Sequence, residues 1–195
     1  GALAQAAGLT TITHGSGTNS TTLGAGYTND LTLTLAAGTD TVSAASYTGA
    51  LTVSADIDSI TSADTLTGGT GSDTLTITLD GGGDTALAAG DLANVSGFET
   101  LTVGSNVAAG ITLHENNIAD GGSLTVNASA MTSTALTFDA SNDTDGSVSI
   151  TAAGSGDHQI TLSQGNDTYT STSTAGEDVT ATGGNNTITT GDGAD

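Results

Sequence analysis

Short runs of an apolar residue, a hydroxyl residue and a second apolar residue recur along most of the chain. Leu101-Thr102-Val103 and Val148-Ser149-Ile150 are two of them, and other runs begin at positions 111, 124, 136 and 160. Because side chains alternate along a strand, each run turns two apolar side chains to one face. A lone strand cannot bury that face, so the strands must stack. The repeat therefore predicts an all-β parallel solenoid with a narrow core.

Two other structures share parts of this pattern. An antiparallel β-sandwich also has short strands at intervals of about 8 to 12 residues. Hairpin-forming Asp-Gly pairs, however, occur only at positions 80, 120, 145 and 192. Intrinsic disorder is typical of charged chains with few aromatic residues, yet here the apolar residues are grouped rather than scattered. We expect a β-roll or β-helix with two strands per coil and roughly 18 to 25 residues per coil.

Residues 68–76 fit the nonapeptide G-G-x-G-x-D-x-U-x at every specified position, where U is a large apolar residue. Gly69 and Gly71 allow the backbone to aim carbonyl groups inward, and Asp73 adds a carboxylate oxygen, which is a ligand that Ca²⁺ prefers. Asp64 has the same phase one nonapeptide earlier. These four residues therefore predict a Ca²⁺ site between neighbouring turns.

The same phase recurs elsewhere in the chain. Asp40 and Asp167 each stand two positions before an apolar residue, and positions 191–195 open a further nonapeptide. Isolated acidic residues such as Asp30 are expected to form Asx-turns or to be solvated. The further candidate calcium ligands are Asp40, Asp157, Asp167, Gly191, Gly193 and Asp195.

The charge of the chain restricts its partners. Its 195 residues include 21 Asp and Glu, no Lys, Arg or Cys, and carry a formal charge of −21. The chain has no Lys or Arg to neutralise phosphate groups, which excludes nucleic acid as a partner. No apolar run approaches the roughly 20 residues of a membrane-spanning helix. Water, salt or bound metal must offset the repulsion between carboxylates. Each Ca²⁺ would remove two charges and stabilise only the folded coil, so we expect calcium to act as a folding switch.

Catalytic patterns are absent from the sequence. His14, His114 and His158 lie far apart, His114-Glu115 lacks the second histidine of a zinc helix, and no G-x-S-x-G motif occurs. Lyase chemistry on acidic sugars would also need a cation or a strong base. We therefore expect no enzymatic activity from this chain.

One continuous solenoid is expected over residues 1–195, as a fragment of a longer chain. Residues 1–79 form a solenoid with the nonapeptide repeat, and residues 100–195 form a solenoid that passes into such repeats. Residues 80–99 break the rhythm and predict a loop with a short helical turn that Asp91 caps. Leu92 and Phe98 are expected to pack this loop against the core.

Residues 68–75, followed by residues 92–103 (Leu-Ala-Asn-Val-Ser-Gly-Phe-Glu-Thr-Leu-Thr-Val), resemble the haemolysin-type RTX calcium-binding proteins. They are especially similar to the S-layer-like branch of that family, whose members assemble calcium-dependent coats on Gram-negative bacteria. The resemblance implies type I secretion, an extracellular or cell-surface location and a structural role. The chain departs from the family pattern in having one complete nonapeptide, which leaves the number of calcium ions open.

Two functions are compatible with these observations. The first is a building block that self-assembles with identical subunits into an extracellular lattice or filament, with cell-surface polysaccharide as a partner of other parts of a longer chain. The alternative is an adhesin extender or a module that binds ice or another surface. Variable repeat spacing argues against regular threonine rows on such a module. Its face would use the outward residues Thr32, Thr52, Thr76, Thr102, Thr112, Thr125, Thr137 and Thr161.

Overall fold

A computed structural model describes residues 7–79, 85–104 and 108–193. The protein is an all-β parallel solenoid of about eight turns with about 3% helix, as the triplet repeat predicts. The described strands are β1 (Thr11–Thr13), β2 (Gly17–Thr22), β3 (Leu31–Thr34), β4 (Gly38–Ser43), β5 (Leu51–Asp56), β6 (Thr65–Thr67), β7 (Thr74–Thr78), β8 (Ala86–Leu87), β9 (Val95–Ser96), β10 (Thr100–Val103), β11 (Ala109–Thr112), β12 (Ser123–Ala128), β13 (Leu136–Asp139), β14 (Ser147–Ala152), β15 (His158–Thr161), β16 (Thr168–Ser171), β17 (Glu177–Thr180) and β18 (Thr187–Thr189).

The strands form three sheets. Sheet A has the order β1-β3-β5-β7-β10-β12-β14-β16-β18, sheet B the order β2-β4-β6-β9, and sheet C the order β17-β15-β13-β11-β8. Every pair of neighbouring strands in these sheets is parallel. Parallel pairing throughout confirms the solenoid and excludes the antiparallel sandwich.

The coils change in length along the axis. In sheet A, Leu33 is in register with Val53 and Leu75 is in register with Leu101, so the coil between the second pair is the longer one. The last two coils are the shortest of these, because Ile150 is in register with Tyr169 and Tyr169 with Ile188. The strands nevertheless stay in register, so the corners between strands absorb the difference in length.

The coil that contains the interval 80–99 differs from the loop with a helical turn that the sequence predicts. Residues 80–84 lie outside the described residues, but β8 then joins sheet C and β9 joins sheet B. Residues 89–94 form turns, and the Asp91 carboxylate accepts a hydrogen bond from Ala88 N at 3.1 Å. Leu92 and Phe98 are buried as predicted. Pairing in two sheets stabilises this segment more than one isolated helical turn could.

This coil divides the solenoid into two regions. Before it, sheet A packs against sheet B, and after it, sheet A packs against sheet C. The core between the sheets consists mainly of Leu, Ile, Val and Ala, with Tyr27 and Tyr47 stacked at 5.9 Å near the N-terminal end. Within the described ranges the helices are short 3-10 turns, Ile57–Ser59 and Glu115–Asn117, and no helix there is long and apolar enough to cross a membrane.

Candidate calcium-binding corners

Acidic, amide and histidine side chains at the corners share one hydrogen-bonding arrangement. Each accepts the backbone N–H of the residue at the equivalent position in the preceding coil. The pairs are Leu51 N to Asp73 Oδ1 (2.8 Å), Asp73 N to Glu99 Oε2 (2.8 Å), Val148 N to Asp167 Oδ1 (2.8 Å), Asp167 N to Asn186 Oδ1 (2.8 Å), Asp40 N to Asp64 Oδ1 (2.6 Å) and Leu136 N to His158 Nδ1 (3.0 Å). A buried N–H needs an acceptor, and here the side chain supplies it.

The Asp73 corner contains the complete nonapeptide. Asp73 is fully buried, its Oδ1 accepts Leu51 N, and its Oδ2 accepts Gly69 N. A Cβ on Gly71 would overlap the carbonyl oxygen of Gly49 in the preceding coil. The glycines therefore allow close stacking of two corners, and backbone N–H groups satisfy both carboxylate oxygens.

Asp64 is satisfied in the same way. Its Oδ1 accepts Asp40 N, and its Oδ2 accepts Thr61 N at 2.7 Å and lies 3.1 Å from Thr61 Oγ1. Asp64 is fully buried. Both carboxylate oxygens of Asp64 thus accept hydrogen bonds from the polypeptide. Calcium binding at Asp64 or Asp73 stays a prediction from the sequence.

Asp40 differs because one of its oxygens has no partner. Its Oδ1 lies 2.8 Å from Asn19 Nδ2 and 3.1 Å from His14 Nδ1, so an ionised Asp40 requires a proton on Nδ1. His14 Nε2 lies 2.8 Å from Thr21 Oγ1. Asp40 Oδ2 is buried with no hydrogen-bond partner among the described residues. This corner therefore has two hydrogen-bond donors for Oδ1 and one open oxygen.

Asp143 and Asp167 lie at corners of consecutive coils in the C-terminal region. Asp167 is 1% exposed and Asp143 is fully buried. Asp167 Oδ1 accepts Val148 N, and Asp143 Oδ1 accepts Gly146 N at 2.7 Å. Their Oδ2 atoms are buried and have no hydrogen-bond partner in the described part of the chain. Two desolvated carboxylates thus each keep one oxygen available.

Ser163 and Gly146 connect these two carboxylates. Ser163 Oγ lies 2.6 Å from Asp167 Oδ1 and 2.9 Å from the carbonyl oxygen of Gly146. One hydroxyl proton can serve only one of these acceptors, so the cluster has fewer protons than its oxygens require. Burial raises the pKa of Asp143, and the charges of Glu115 and Asp145 add to this effect against hydrogen bonds from Gly146 and Asp145. The cluster therefore favours an added cation or proton.

Glu177 forms a further buried carboxylate. Its Oε1 accepts the Tyr169 hydroxyl at 3.0 Å, and its Oε2 has no partner among the described atoms. The in-register neighbour is His158, whose Nδ1 accepts Leu136 N and whose Nε2 lies 3.3 Å from Ala153 O. This pattern places the proton of a neutral His158 on Nε2.

The remaining candidate ligands lie elsewhere. Asp157 is exposed, and Cβ atoms on Gly191 and Gly193 would overlap Ser173 O and Ala175 O of the preceding coil. Asp195 lies outside the described residues. The sequence alone leaves open whether Asp143 is a metal ligand or a turn residue, because its Asp-x-Asp-Gly turn lacks the later Glu of an EF-hand loop. Glu177 carries no signal in the sequence.

Calcium fits some of these corners better than others. In the described ranges no three or more His, Cys, Asp and Glu residues gather at one point, so carbonyl and hydroxyl oxygens would have to complete the six to eight ligands that Ca²⁺ takes. Asp143, Asp167, Ser163 and Gly146 offer oxygens of each kind. Asp73 and Asp64 offer no oxygen that lacks a hydrogen bond, and Asp40 offers one. The donor chemistry therefore fits Ca²⁺ best at the corner of Asp143 and Asp167.

Comparison of the chain with protein-family models, curated proteins and solved structures gives no match.

Proposed function

We propose that this chain is a rigid structural unit of an extracellular assembly, and that Ca²⁺ bound between Asp143 and Asp167 stabilises its fold. The observation that carries the proposal is the pair of buried carboxylates in consecutive coils, each with an unpartnered oxygen among the described residues. The chain has no Lys or Arg to neutralise them. The RTX-like nonapeptide and the high calcium concentration outside cells support the same function.

The energetics of burial support a cation at this corner. An uncompensated buried charge is strongly destabilising, and a divalent ion can compensate two of them. A ligand that binds only the folded state stabilises it by about 2.7 kcal/mol at 100 times its Kd. Calcium at this corner would therefore raise stability by a measurable amount and reduce the total charge of the chain.

The shape of the molecule suits a structural role. Nine parallel strands at a spacing of about 4.8 Å make sheet A about 38 Å long. The continuous ladder and the core make each coil depend on its neighbours. Such a unit can act as a stiff spacer or as an element of a lattice.

Thermal unfolding followed by circular dichroism tests the calcium proposal. We expect calcium to raise the Tm of chelated protein by several degrees, and Asp167→Asn to remove at least half of this increase. Asp178→Asn is the matched control, because exposed Asp178 loses the same charge. A site at Asp167 is contradicted if calcium raises the Tm equally in the unsubstituted protein and both variants, or if it does not raise the Tm of the unsubstituted protein. Magnesium in place of calcium reports selectivity.

The alternative of a surface-binding module is supported by sheet A. The variable spacing in the sequence argues against regular threonine rows, but this expectation is wrong because the corners absorb the variation. Thr32, Thr52 and Thr125 lie in one row of sheet A, Thr76 and Thr102 lie in a second, and the other outward threonines lie on sheet C. Inhibition of ice recrystallisation by monomeric protein would favour this function over assembly.

A further inference from the structure

Two continuous rows of uncharged polar side chains cover the outer face of sheet A, and we name them the hydroxyl face. Inward residues alternate with them and form the core. Seventeen of the eighteen members are threonine or serine. The first row is Thr11, Thr32, Thr52, Thr74, Thr100, Thr125, Ser149, Thr168 and Thr187, and the second is Thr13, Thr34, Ser54, Thr76, Thr102, Asn127, Thr151, Thr170 and Thr189.

We propose that the hydroxyl face is the surface through which two copies of this chain associate, sheet A against sheet A. The inference rests on the proposed function as an assembly unit and names the face that assembly uses. The occupant is a second copy, and charge is the reason.

Carboxylates are excluded from both rows of the hydroxyl face although the chain carries 21 of them. Asp56 lies at the end of β5, beyond the second row. Sheet C, by contrast, presents Asp139 in β13 and Asp178 in β17 on its outer face. Because the chain has no Lys or Arg, two copies cannot form a Lys or Arg salt bridge across a contact, and opposed carboxylates repel. A contact between copies is therefore favoured where neither surface is charged.

Sheet B provides a smaller uncharged surface. Its outward residues, such as Thr41 and Thr65, are also hydroxyl residues, but sheet B has four strands whereas sheet A has nine. The larger uncharged area makes sheet A the favoured contact surface.

The chemistry of threonine suits a contact with an identical face. A hydroxyl group both donates and accepts hydrogen bonds, so two such faces can pair without a separate complementary surface. The methyl groups beside the hydroxyls add apolar contact. A self-complementary patch of this kind forms a two-fold dimer.

The size of the face sets the strength of the contact. A length of about 38 Å and a width of about 12 Å give roughly 450 Å² per copy. The area that two copies would bury together is below the value of about 1,200 Å² that a stable complex buries. We therefore expect a Kd between about 10 µM and about 1 mM for two isolated copies, and a stable assembly only where many contacts act together.

Sedimentation velocity in calcium, over a range of protein concentrations, tests this contact. Thr125→Asp with Thr170→Asp places two charges on the hydroxyl face, and we expect at least a tenfold weaker association. Thr137→Asp introduces the same residue at an exposed position of sheet C and should leave association unchanged. Circular dichroism verifies that each variant is folded. The proposal is overturned if Thr137→Asp weakens association as much as the double variant does, or if the double variant associates as strongly as the unsubstituted protein.

Disulfide trapping gives a second measurement with substitutions that introduce no charge. The chain has no Cys, so Thr102→Cys in β10, the central strand of sheet A, introduces its only thiol. We expect oxidation to trap dimers of this variant much faster than dimers of Thr137→Cys on sheet C. Equal rates contradict a contact through sheet A.

Failure of this inference and failure of the proposed function give different results. If the double variant assembles as well as the unsubstituted protein, assembly proceeds through another surface and the proposed function stands. If the unsubstituted protein stays monomeric up to about 1 mM, the contact is too weak for the expected range and both fail. Monomers that inhibit ice recrystallisation would assign the hydroxyl face to surface binding instead.

Discussion

The Asp73 and Asp167 corners occupy equivalent positions at the edge of sheet A and differ in the residue four places earlier. Both aspartates accept the N–H of the preceding coil at 2.8 Å. At the Asp73 corner, Gly69 N–H binds the second oxygen, whereas at the Asp167 corner Ser163 contacts the oxygen that is already bound. The complete nonapeptide thus satisfies its own carboxylate, and the incomplete one leaves one carboxylate oxygen without a hydrogen bond among the described residues.

The same contrast extends to the two regions of the solenoid. The N-terminal region packs sheet A against sheet B, contains the stacked Tyr27 and Tyr47, and includes the fully bound Asp64 and Asp73, although Asp40 keeps one unpartnered oxygen among the described residues. The C-terminal region packs sheet A against sheet C and includes Asp143, Asp167 and Glu177, each with an unpartnered oxygen within the described residues. We therefore expect hydrogen bonding and packing to stabilise the first region, and bound cations to contribute more to the second.

Asp73→Ala should have the largest effect. It leaves the buried N–H groups of Leu51 and Gly69 without an acceptor, at a cost of about 1 to 3 kcal/mol each. We expect the free energy of unfolding to fall by about 2 to 6 kcal/mol, equally in calcium and in chelator. Urea unfolding in calcium and in chelator measures this loss of free energy, with Asp178→Ala as the charge-matched control. A loss that appears only in calcium would show that Asp73 is a metal ligand.

Alkaline pH should destabilise the N-terminal region first. Burial raises the pKa of Tyr47 from 10.0 to about 12, with Tyr27, Asp30 and Asp73 adding to the effect. A raised pKa in the folded state means that the stabilisation is complete below pH 10 and is lost as pH rises through 12. Because a shift of one pKa unit corresponds to about 1.36 kcal/mol, the free energy of unfolding should fall by about 2 to 3 kcal/mol over this pH range.

Tyrosinate absorbance and circular dichroism, recorded together between pH 9 and about pH 12.5, check this prediction. Tyr47→Phe should lose part of the pH dependence, because it removes the buried hydroxyl that donates to Asn29 O. An identical pH dependence in both proteins would contradict it.

Gly71→Ala tests the close stacking of the corners. The added Cβ would overlap Gly49 O, and we expect a loss of about 1 to 2 kcal/mol from the strain. Gly90→Ala is the matched control, since a Cβ there has no atom of the described residues within 4 Å. Thermal unfolding of both variants measures the difference. Equal stability would mean that the Asp73 corner can open without cost.

Much of the fold follows from the sequence, while the roles of individual aspartates do not. The spacing of runs such as Leu124-Thr125-Val126 predicts parallel stacking because only stacking buries their apolar faces. The nonapeptide identifies Asp73 as a corner residue, but its oxygens are bound by Leu51 N and Gly69 N, and a contact with the preceding coil is not visible in a linear motif. The role of Asp143 stays open in the sequence for the same reason. Its environment depends on neighbours from two other coils.

Acidification should have the smallest effect on stability, and this effect should arise from protonation of Asp143 in the C-terminal region. Burial raises the pKa of Asp143 above its usual 3.8. The associated stabilisation is therefore complete below pH 3.8 and is lost as pH rises through the higher folded-state pKa. In metal-free buffer at neutral pH, Asp143→Asn should be slightly more stable than the unsubstituted protein, because its side chain is neutral and Oδ1 still accepts Gly146 N.

This advantage should shrink as pH falls from 7 to about 4, when Asp143 itself becomes protonated. Paired thermal unfolding of the two proteins across this range measures the difference and cancels the titration that they share. Calcium at neutral pH should reverse the order, since the cation offsets the charge that the variant lacks. A difference that is independent of both pH and calcium would mean that the Asp143 charge is already balanced by the polypeptide, as it is at Asp73.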